Sequence, residues 1–262
     1  MVKNLSVGRY IETNSPIHKL DPRTKLLSTI VFVTILMRSS TWQQYVWLIL
    51  STFSMIFLTR IPILTFLRGI KPLFKIIFFT SALQILFSSG YPFWQWGPFT
   101  VSELGLVNAG VTFLRFSLII MITSVIGLST KPLDLTAGVE RLLSPLKLIG
   151  FAVQELAFMM SIALRFIPTL FDEASRLKKA QEARGILFDE GHFFERMRKF
   201  LPLLVPIFIS SFYRAGELAN ALDVRGYIST NKRTTFRVME YNSIDLIFMI
   251  CLGLLLLVYF FL

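Results

Sequence analysis

"LGLLLLVYFFL", residues 252–262, contains no charged side chain. Similar apolar runs recur along the chain, which is 54% hydrophobic, 14% aromatic and only 16% charged. Soluble domains average about 25% charged residues. A helix that crosses the hydrocarbon region of a bilayer needs about 20 mostly apolar residues. The composition therefore predicts an all-α integral membrane protein.

Five segments are apolar enough to be predicted membrane spans. They are residues 25–41, 43–59, 72–89, 104–129 and 243–262. Asp21 and Pro22 mark the start of the first helix, because Asp is a favoured N-cap and Pro suits the first helical position.

The placement of Lys and Arg predicts the topology. The link at 60–75 carries four of them, and the link at 88–103, "SSGYPFWQWGPFTVSE", carries none. The positive-inside rule then puts the first link in the cytoplasm and the second outside, with Trp94 and Trp96 at the membrane interface. We therefore expect a cytoplasmic N-terminus and an external C-terminus.

The stretch 131–242 differs from the rest, since it holds 16 of the 27 Lys and Arg and 12 of the 16 Asp and Glu. Gly and Pro residues divide it into three predicted helices, at about 132–149, 151–184 and 193–225. We expect these helices to lie in or under the cytoplasmic face. The predicted division of the chain is 1–130 with four spans, 131–242, and 243–262 as the last span.

Two parts of this region repeat each other, around "AQEARGILF" (180–188) and "NALDVRGYI" (220–228). At a constant offset of 41, the residues Ala174, Leu177, Ala180, Arg184 and Gly185 match Ala215, Leu218, Ala221, Arg225 and Gly226. Each helix is predicted to end at a left-handed glycine cap with Arg just before it. A cation at a single helix C-terminus is ordinary. The repetition favours docking of both ends into polar or acidic grooves of a soluble partner.

Arg115, inside the fourth predicted span, is the main intramembrane polar candidate, since a buried Arg needs a partner. It would either form a structural pair or lie in a substrate path. The two histidines, His18 and His192, have no second ligand at metal-binding spacing, so we predict no metal site and no cofactor in this chain. No nucleophile–base motif is visible. Lys and Arg alternate with acidic residues, which makes a nucleic-acid surface improbable.

The string "HKLDPRTKLL" (18–27), the predicted spans, and the long helices ending in "EARG" and "DVRG" resemble the transmembrane T component (EcfT) of energy-coupling factor transporters. The resemblance covers essentially the whole chain, and the family includes cobalt and nickel versions. It implies a non-catalytic subunit of an ATP-driven importer for vitamins or metal ions in a prokaryotic plasma membrane.

The resemblance also implies partners and sites. Two cytoplasmic ATP-binding-cassette ATPases would bind ATP and Mg²⁺ and receive the helix ends Ala183-Arg184-Gly185 and Val224-Arg225-Gly226. The second end departs from the family's Ala-Arg-Gly by Val224. A separate membrane S component would capture the substrate and contact the small-residue faces of the same helices. Those faces comprise Ala174, Leu177, Ala180, Ala215, Leu218 and Ala221.

Two other classes stay open at this point. A self-sufficient carrier or channel would use Arg115 in its path and would transport substrate alone. A membrane-embedded enzyme would need an acid–base cluster, which the sequence does not contain. The different flanks of the two Arg-Gly ends, with Ile186 after the first and Tyr227 after the second, favour two distinct ATPases over two identical ones.

Overall fold

The computed structural model describes residues 10–87, 92–96, 99–188, 190, 192–227 and 241–261. The helices are α1 Pro22–Arg38, α2 Trp42–Thr59, α3 Ile63–Ile70, α4 Phe74–Phe87, α5 Glu103–Ser129, α6 Pro132–Leu142, a 3₁₀ helix Ser144–Ile149, α7 Val153–Ala183, α8 Phe193–Val224 and α9 Ser243–Phe261. The predicted all-α class is confirmed. The only strands among the described residues form a short antiparallel hairpin, β1 Pro92–Trp96 with β2 Phe99–Ser102.

Local sequence accounts for the helix starts. The Asp21 carboxylate accepts a hydrogen bond from the Arg23 backbone N–H at 2.8 Å, which caps α1 as predicted. Ser102 caps α5 in the same way, accepting from the Gly105 N–H at 3.0 Å. Both caps satisfy donors that the first turn of a helix leaves without an intrahelical partner.

The described residues fall into two compact units, one containing residues up to Leu142 and from Tyr241 onward, the other running from Leu143 to Tyr227. In the first unit α5 packs against α1, α2, α3 and α4, and α6 packs against α1. Helix α6 therefore groups with the first unit, although the predicted boundary lay between 130 and 131. The position of that boundary relative to the membrane stays a prediction.

The first unit has two buried apolar clusters, both of which include side chains of α2 and α5. One contains Ile17, Leu20, Ile56, Ile61, Phe66, Met121, Val125 and Leu128. The other contains Phe32, Ile35, Leu36, Tyr45, Leu48, Leu118, Ile122 and Tyr259. Because α5 contributes to both clusters and packs against α1, α2, α3 and α4, it is the central element of this unit.

The second unit consists mainly of α7 and α8, which contact each other, and the 3₁₀ helix, which contacts α7. Among its described residues only Val153, Phe188 and Leu203 are buried. The predicted helices at 151–184 and 193–225 are confirmed within one or two residues. The predicted helix at 132–149 is divided at Leu143 into α6 and the 3₁₀ helix.

Among the described residues, α5, α7 and α9 are long and apolar enough to cross a membrane. Helices α3 and α4 form a pair bent by 61°, and the two together are long and apolar enough to cross a membrane. The predicted spans 25–41 and 43–59 correspond to α1 and α2, of 17 and 18 residues. Helix α7 was predicted to lie at the cytoplasmic face. It is nevertheless apolar enough to cross a membrane, because its charged residues are concentrated in its second half. The count of five spans stays a prediction.

Part of the predicted outer link lies outside the described residues, namely 88–91, 97 and 98 together with the side chains of Trp94 and Trp96. Residues 1–9, 228–240 and 262 of the three predicted divisions also lie outside them.

Candidate functional site

Both Arg-Gly helix ends have the predicted left-handed glycine cap. We name Ala183-Arg184-Gly185 the first Arg-Gly end and Val224-Arg225-Gly226 the second. Gly185 has φ of 88° and Gly226 has φ of 67°. The N–H of Ile186 donates to the Gln181 carbonyl, and the N–H of Tyr227 donates to the Leu222 carbonyl, each at 3.0 Å. These six-to-one bonds define the same Schellman termination at both ends.

The two arginines of these ends are exposed. Among the described residues neither the Arg184 nor the Arg225 guanidinium takes part in a hydrogen bond or an ion pair. A guanidinium stays charged at all physiological pH values and carries five donors in a planar fork. Each Arg-Gly end therefore presents unused donors that suit carboxylates or carbonyl oxygens of another molecule.

An ion pair joins the two helices at equivalent positions of the repeat. Nη2 of Arg214 on α8 lies 2.6 Å from Oε2 of Glu173 on α7, and these residues are 41 apart, which is the repeat offset. Glu173 precedes Arg184 by eleven residues and Arg214 precedes Arg225 by eleven, or about 16 Å of helix in each case. The two Arg-Gly ends are thus equally far along their helices from the contact between α7 and α8.

The support behind the first Arg-Gly end comes from the loop that follows it. Phe188 is buried and lies 5.5 Å from the Phe200 ring, centroid to centroid. Nζ of Lys199 donates to the carbonyls of Leu187 and Glu190, both at 2.9 Å. The loop is therefore fastened to the first turns of α8.

The second Arg-Gly end is supported differently. Tyr227, directly after it, stacks on Phe158 of α7 with 4.8 Å between ring centroids. The sequence analysis identified the difference between Ile186 and Tyr227 but missed Phe158, Phe188 and Lys199. These three residues lie at positions where the two repeats differ. A comparison based on the residues that the repeats share does not identify them.

The small-residue faces lie on α7 and α8 as predicted. Ala180, Ala215 and Ala221 are exposed, whereas Ala174, Leu177 and Leu218 are partly buried. Spacing of three residues puts each set on one side of its helix. The exposed alanines leave room for another backbone to approach closely.

The string at 18–27 joins the ends of three helices. Asp245, 2% exposed at the start of α9, accepts the Asp21 N–H with Oδ1 at 2.8 Å. Its other oxygen accepts the Asn242 N–H at 2.9 Å. Asp245 lies in the first turn of α9. Its bond to Asp21, which fastens α9 to α1, was not predicted.

Lys25 adds α5 to this junction. The side chain is only 4% exposed, and its Nζ donates to the Ser129 carbonyl at 3.0 Å and to Oγ1 of Thr130 at 3.1 Å. Because α5 ends at Ser129, Lys25 satisfies a carbonyl that has no intrahelical donor.

His18 completes the junction as a neutral side chain. Its Nε2 donates to the Ile11 carbonyl at 2.9 Å, which leaves Nδ1 to accept the Ser15 hydroxyl at 2.7 Å. Burial lowers the pKa of His18, an effect that the nearby charge of Lys25 reinforces. This lowered pKa keeps the imidazole uncharged at neutral pH.

Arg115 is held by neutral oxygens. Its Nη2 donates to Oη of Tyr45 at 2.7 Å and to the Ser39 carbonyl at 3.0 Å. With Gln84, Asn108 and neighbouring residues it also lines a cleft of about 550 Å³. The contacts fasten α5 to the α1–α2 connection, and the role of Arg115 stays a prediction.

The described residues contain no group of three or more His, Cys, Asp or Glu side chains that could hold a metal ion. Cys251, the single cysteine of the chain, is exposed on α9.

Comparison with known proteins identifies the family. Residues 13–236 match the family of the cobalt transport protein CbiQ. The energy-coupling factor transporter transmembrane protein EcfT of Lacticaseibacillus paracasei is 44% identical over 92% of this chain and 92% of its own length. EcfT 1 of Listeria monocytogenes is 44% identical over 94% of this chain and 93% of its own, and EcfT of Bacillus subtilis is 43% identical with the same coverage. The chain therefore belongs to the EcfT family of transmembrane components of energy-coupling factor transporters.

Proposed function

We propose that this chain transmits ATP-driven motion from two cytoplasmic ATP-binding-cassette ATPases to a membrane S component that captures a vitamin or metal ion. One observation carries the proposal. The chain presents two exposed arginines, without a partner among the residues that the structure describes, on identically capped helix ends equally far along α7 and α8 from their ion pair.

The proposed mechanism begins at the two Arg-Gly ends. Each guanidinium docks in a groove of one ATPase, where directed hydrogen bonds hold it to carboxylates or carbonyls. When the ATPases close on ATP and Mg²⁺, the ends move with them. A rigid helix passes this displacement along its axis, so α7 and α8 slide or splay. Their small-residue faces then release or reorient the S component.

A double substitution tests the docking role. Arg184→Ala with Arg225→Ala removes two charge-assisted contacts, each contributing about 1.5–3 kcal/mol, while leaving both glycine caps in place. We expect the variant to insert in the membrane but to lose the ATPases in co-purification, and to lose uptake. Arg176→Ala with Arg198→Ala is the matched control, with the same charge loss on the same two helices. Normal ATPase recovery and uptake by the Arg184/Arg225 variant would contradict the proposal.

The two ATPases are proposed to be distinct, because the supports behind the two Arg-Gly ends differ. Photo-crosslinkers at Ala183 and at Val224 should capture different ATPase chains. Capture of one ATPase in equal amounts from both positions would mean that the flanks differ without functional consequence.

The proposed orientation has the N-terminus and residues 131–242 on the cytoplasmic side. A cysteine in place of Gln95 should react with an impermeant thiol reagent added outside the cell, whereas one in place of Lys178 should react only after the membrane is opened. Both cysteines are introduced into a chain that carries Cys251→Ser, so that the native cysteine cannot react. External labelling at position 178 would refute this orientation.

A further inference from the structure

A groove in the first unit runs along α2 to its junction with α3. It has a volume of about 1180 Å³ and an almost wholly apolar lining that includes Leu50, Phe53, Phe57 and Ile63. The ten helical steps from Leu50 to Arg60 cover about 15 Å. The hydrocarbon region of a bilayer is about 30 Å thick, so the groove matches the depth of one leaflet.

Arg60 stands at one end of this groove in an unusual backbone conformation. Its φ of 56° and ψ of 19° are left-handed, and it is the only described residue other than glycine with positive φ. Gly or Asn adopts this conformation at lower cost after a helix. Its Nη1 donates to the Asn14 carbonyl at 3.3 Å. The chain thus keeps a cation at a position where the backbone alone favours a smaller residue, and such outliers point to function.

The sequence around Arg60 is basic and lacks acidic residues. Residues 40–101 contain no Asp or Glu but four Lys or Arg. These are Arg60, Arg68, Lys71 and Lys75, all exposed. None of the four forms an ion pair with another described residue. Of these four, Arg60 lines the groove, and the other three follow it within fifteen residues of the chain. A cation at the end of an apolar groove attracts an anion.

We propose that this groove binds one anionic phospholipid, with an acyl chain along α2 and the phosphate at Arg60. The apolar length and the single basic end match an amphiphile with a negative head. A neutral phospholipid would gain the apolar contact but little from the cations. Cationic clusters beside membrane segments select anionic lipids, with roughly a fivefold gain in affinity per Lys or Arg.

Arg60→Asn is the sharpest test, because Asn accepts the left-handed conformation while the charge, with its hydrogen bond to the Asn14 carbonyl, is removed. Native mass spectrometry of the purified full chain would count dioleoylphosphatidylglycerol and dioleoylphosphatidylcholine bound in neutral detergent. We expect preference for the anionic lipid, a roughly fivefold loss of its affinity in Arg60→Asn, and a roughly hundredfold loss when Arg68→Gln and Lys71→Gln are added.

The matched control removes three cations from α7 with Arg176→Gln, Lys178→Gln and Lys179→Gln. It should keep the wild-type affinity for dioleoylphosphatidylglycerol. Equal losses in the two triple variants would mean attraction to net charge alone and would overturn the site. Equal binding of the two lipids by the wild-type chain would also overturn it.

A second measurement tests whether the apolar lining of the groove contributes to lipid binding. Phe53→Ser with Phe57→Ser should weaken binding of the anionic lipid at least tenfold, because both side chains line the groove and are exposed. Glycerol 3-phosphate should fail to compete. Displacement of the lipid by glycerol 3-phosphate at similar concentration would identify a phosphate site and contradict the lipid proposal.

Discussion

The two units of this chain differ in the interactions that stabilise each one internally. The first has two buried apolar clusters, and buried polar side chains such as Asp245 and Lys25 join its helix ends. The second has two helices of 31 and 32 residues, joined by the partly exposed ion pair of Glu173 and Arg214. Large apolar side chains of these helices, including Phe171 and Phe212, are exposed.

This difference indicates that the two units differ in rigidity. A unit whose helix ends are joined by buried, hydrogen-bonded polar side chains such as Asp245 and Lys25 favours one packing. A long helix with few buried contacts can change its crossing with its neighbour at small cost in free energy. In the proposed mechanism, the first unit would therefore be the fixed frame, and α7 and α8 of the second unit would be the helices that move.

The largest expected effect is that of Asp245→Ala in the first unit. The substitution leaves the backbone N–H groups of Asp21 and Asn242 without their charged acceptor. We expect the free energy of unfolding in detergent to fall by about 3–6 kcal/mol, since each of the two bonds contributes about 1.5–3 kcal/mol. Glu173→Ala in the second unit should cost less than about 1 kcal/mol. Similar losses for the two variants would abolish the contrast between the units.

Glycine substitutions compare how tightly helices pack. A Cβ on Gly138 of α6 would lie 3.0 Å from Cβ of Pro22 and 3.4 Å from Cδ1 of Leu26, so Gly138→Ala should destabilise the chain by about 1–3 kcal/mol. A Cβ on Gly216 of α8 meets no atom within 4 Å. Gly216→Ala should stabilise the isolated chain by up to about 1 kcal/mol.

Gly110→Ala controls for the glycine substitution itself, because Gly110 lies in the first unit and a Cβ there also meets no atom within 4 Å. Thermal unfolding of the three variants decides the comparison. If Gly138→Ala were as stable as Gly110→Ala, α6 would not be packed against α1 as described. Loss of uptake by Gly216→Ala with an intact fold would locate a partner contact on α8.

Tyrosine hydroxyls offer a smaller contrast. Tyr45→Phe removes the oxygen that accepts from Arg115 and that itself donates to the Ser39 carbonyl at 3.1 Å. We expect a loss of about 2 kcal/mol, because a partly buried guanidinium loses an acceptor. Tyr213→Phe, at a residue of α8 that is 73% exposed, should change the stability by less than about 0.5 kcal/mol. Equal effects in a denaturation series would contradict the assigned role of Arg115.

The smallest effect is expected at the contact between α7 and α8. A double-mutant cycle of Glu173→Gln and Arg214→Gln should give a coupling free energy of no more than about 1 kcal/mol, since both side chains are partly exposed. A coupling above about 2 kcal/mol would show that this crossing is held as firmly as the first unit. In that event, sliding or splaying of α7 and α8 would be too costly for the proposed mechanism.

Features that depend on near neighbours in the chain were predictable from the sequence. The apolar runs indicated a helical membrane protein, because hydrophobic length decides whether a helix can cross a bilayer. The cap at Asp21 and the glycine terminations at Gly185 and Gly226 were predicted, because each is formed by residues within one helical turn. The repeat located the Arg-Gly ends, since both copies carry the same local pattern.

Only the tertiary structure decided which helix ends meet. Asp21 and Asp245 are 224 residues apart, and Lys25 and Ser129 are 104 apart. No local pattern signals such bonds, because a carboxylate beside a helix start looks the same whether it faces water or a second helix. The pairing of Arg115 with Tyr45 and the approach of Gly138 to Pro22 are undetermined by sequence for the same reason. They depend on how the packed helices align, and side-chain type alone does not specify that alignment.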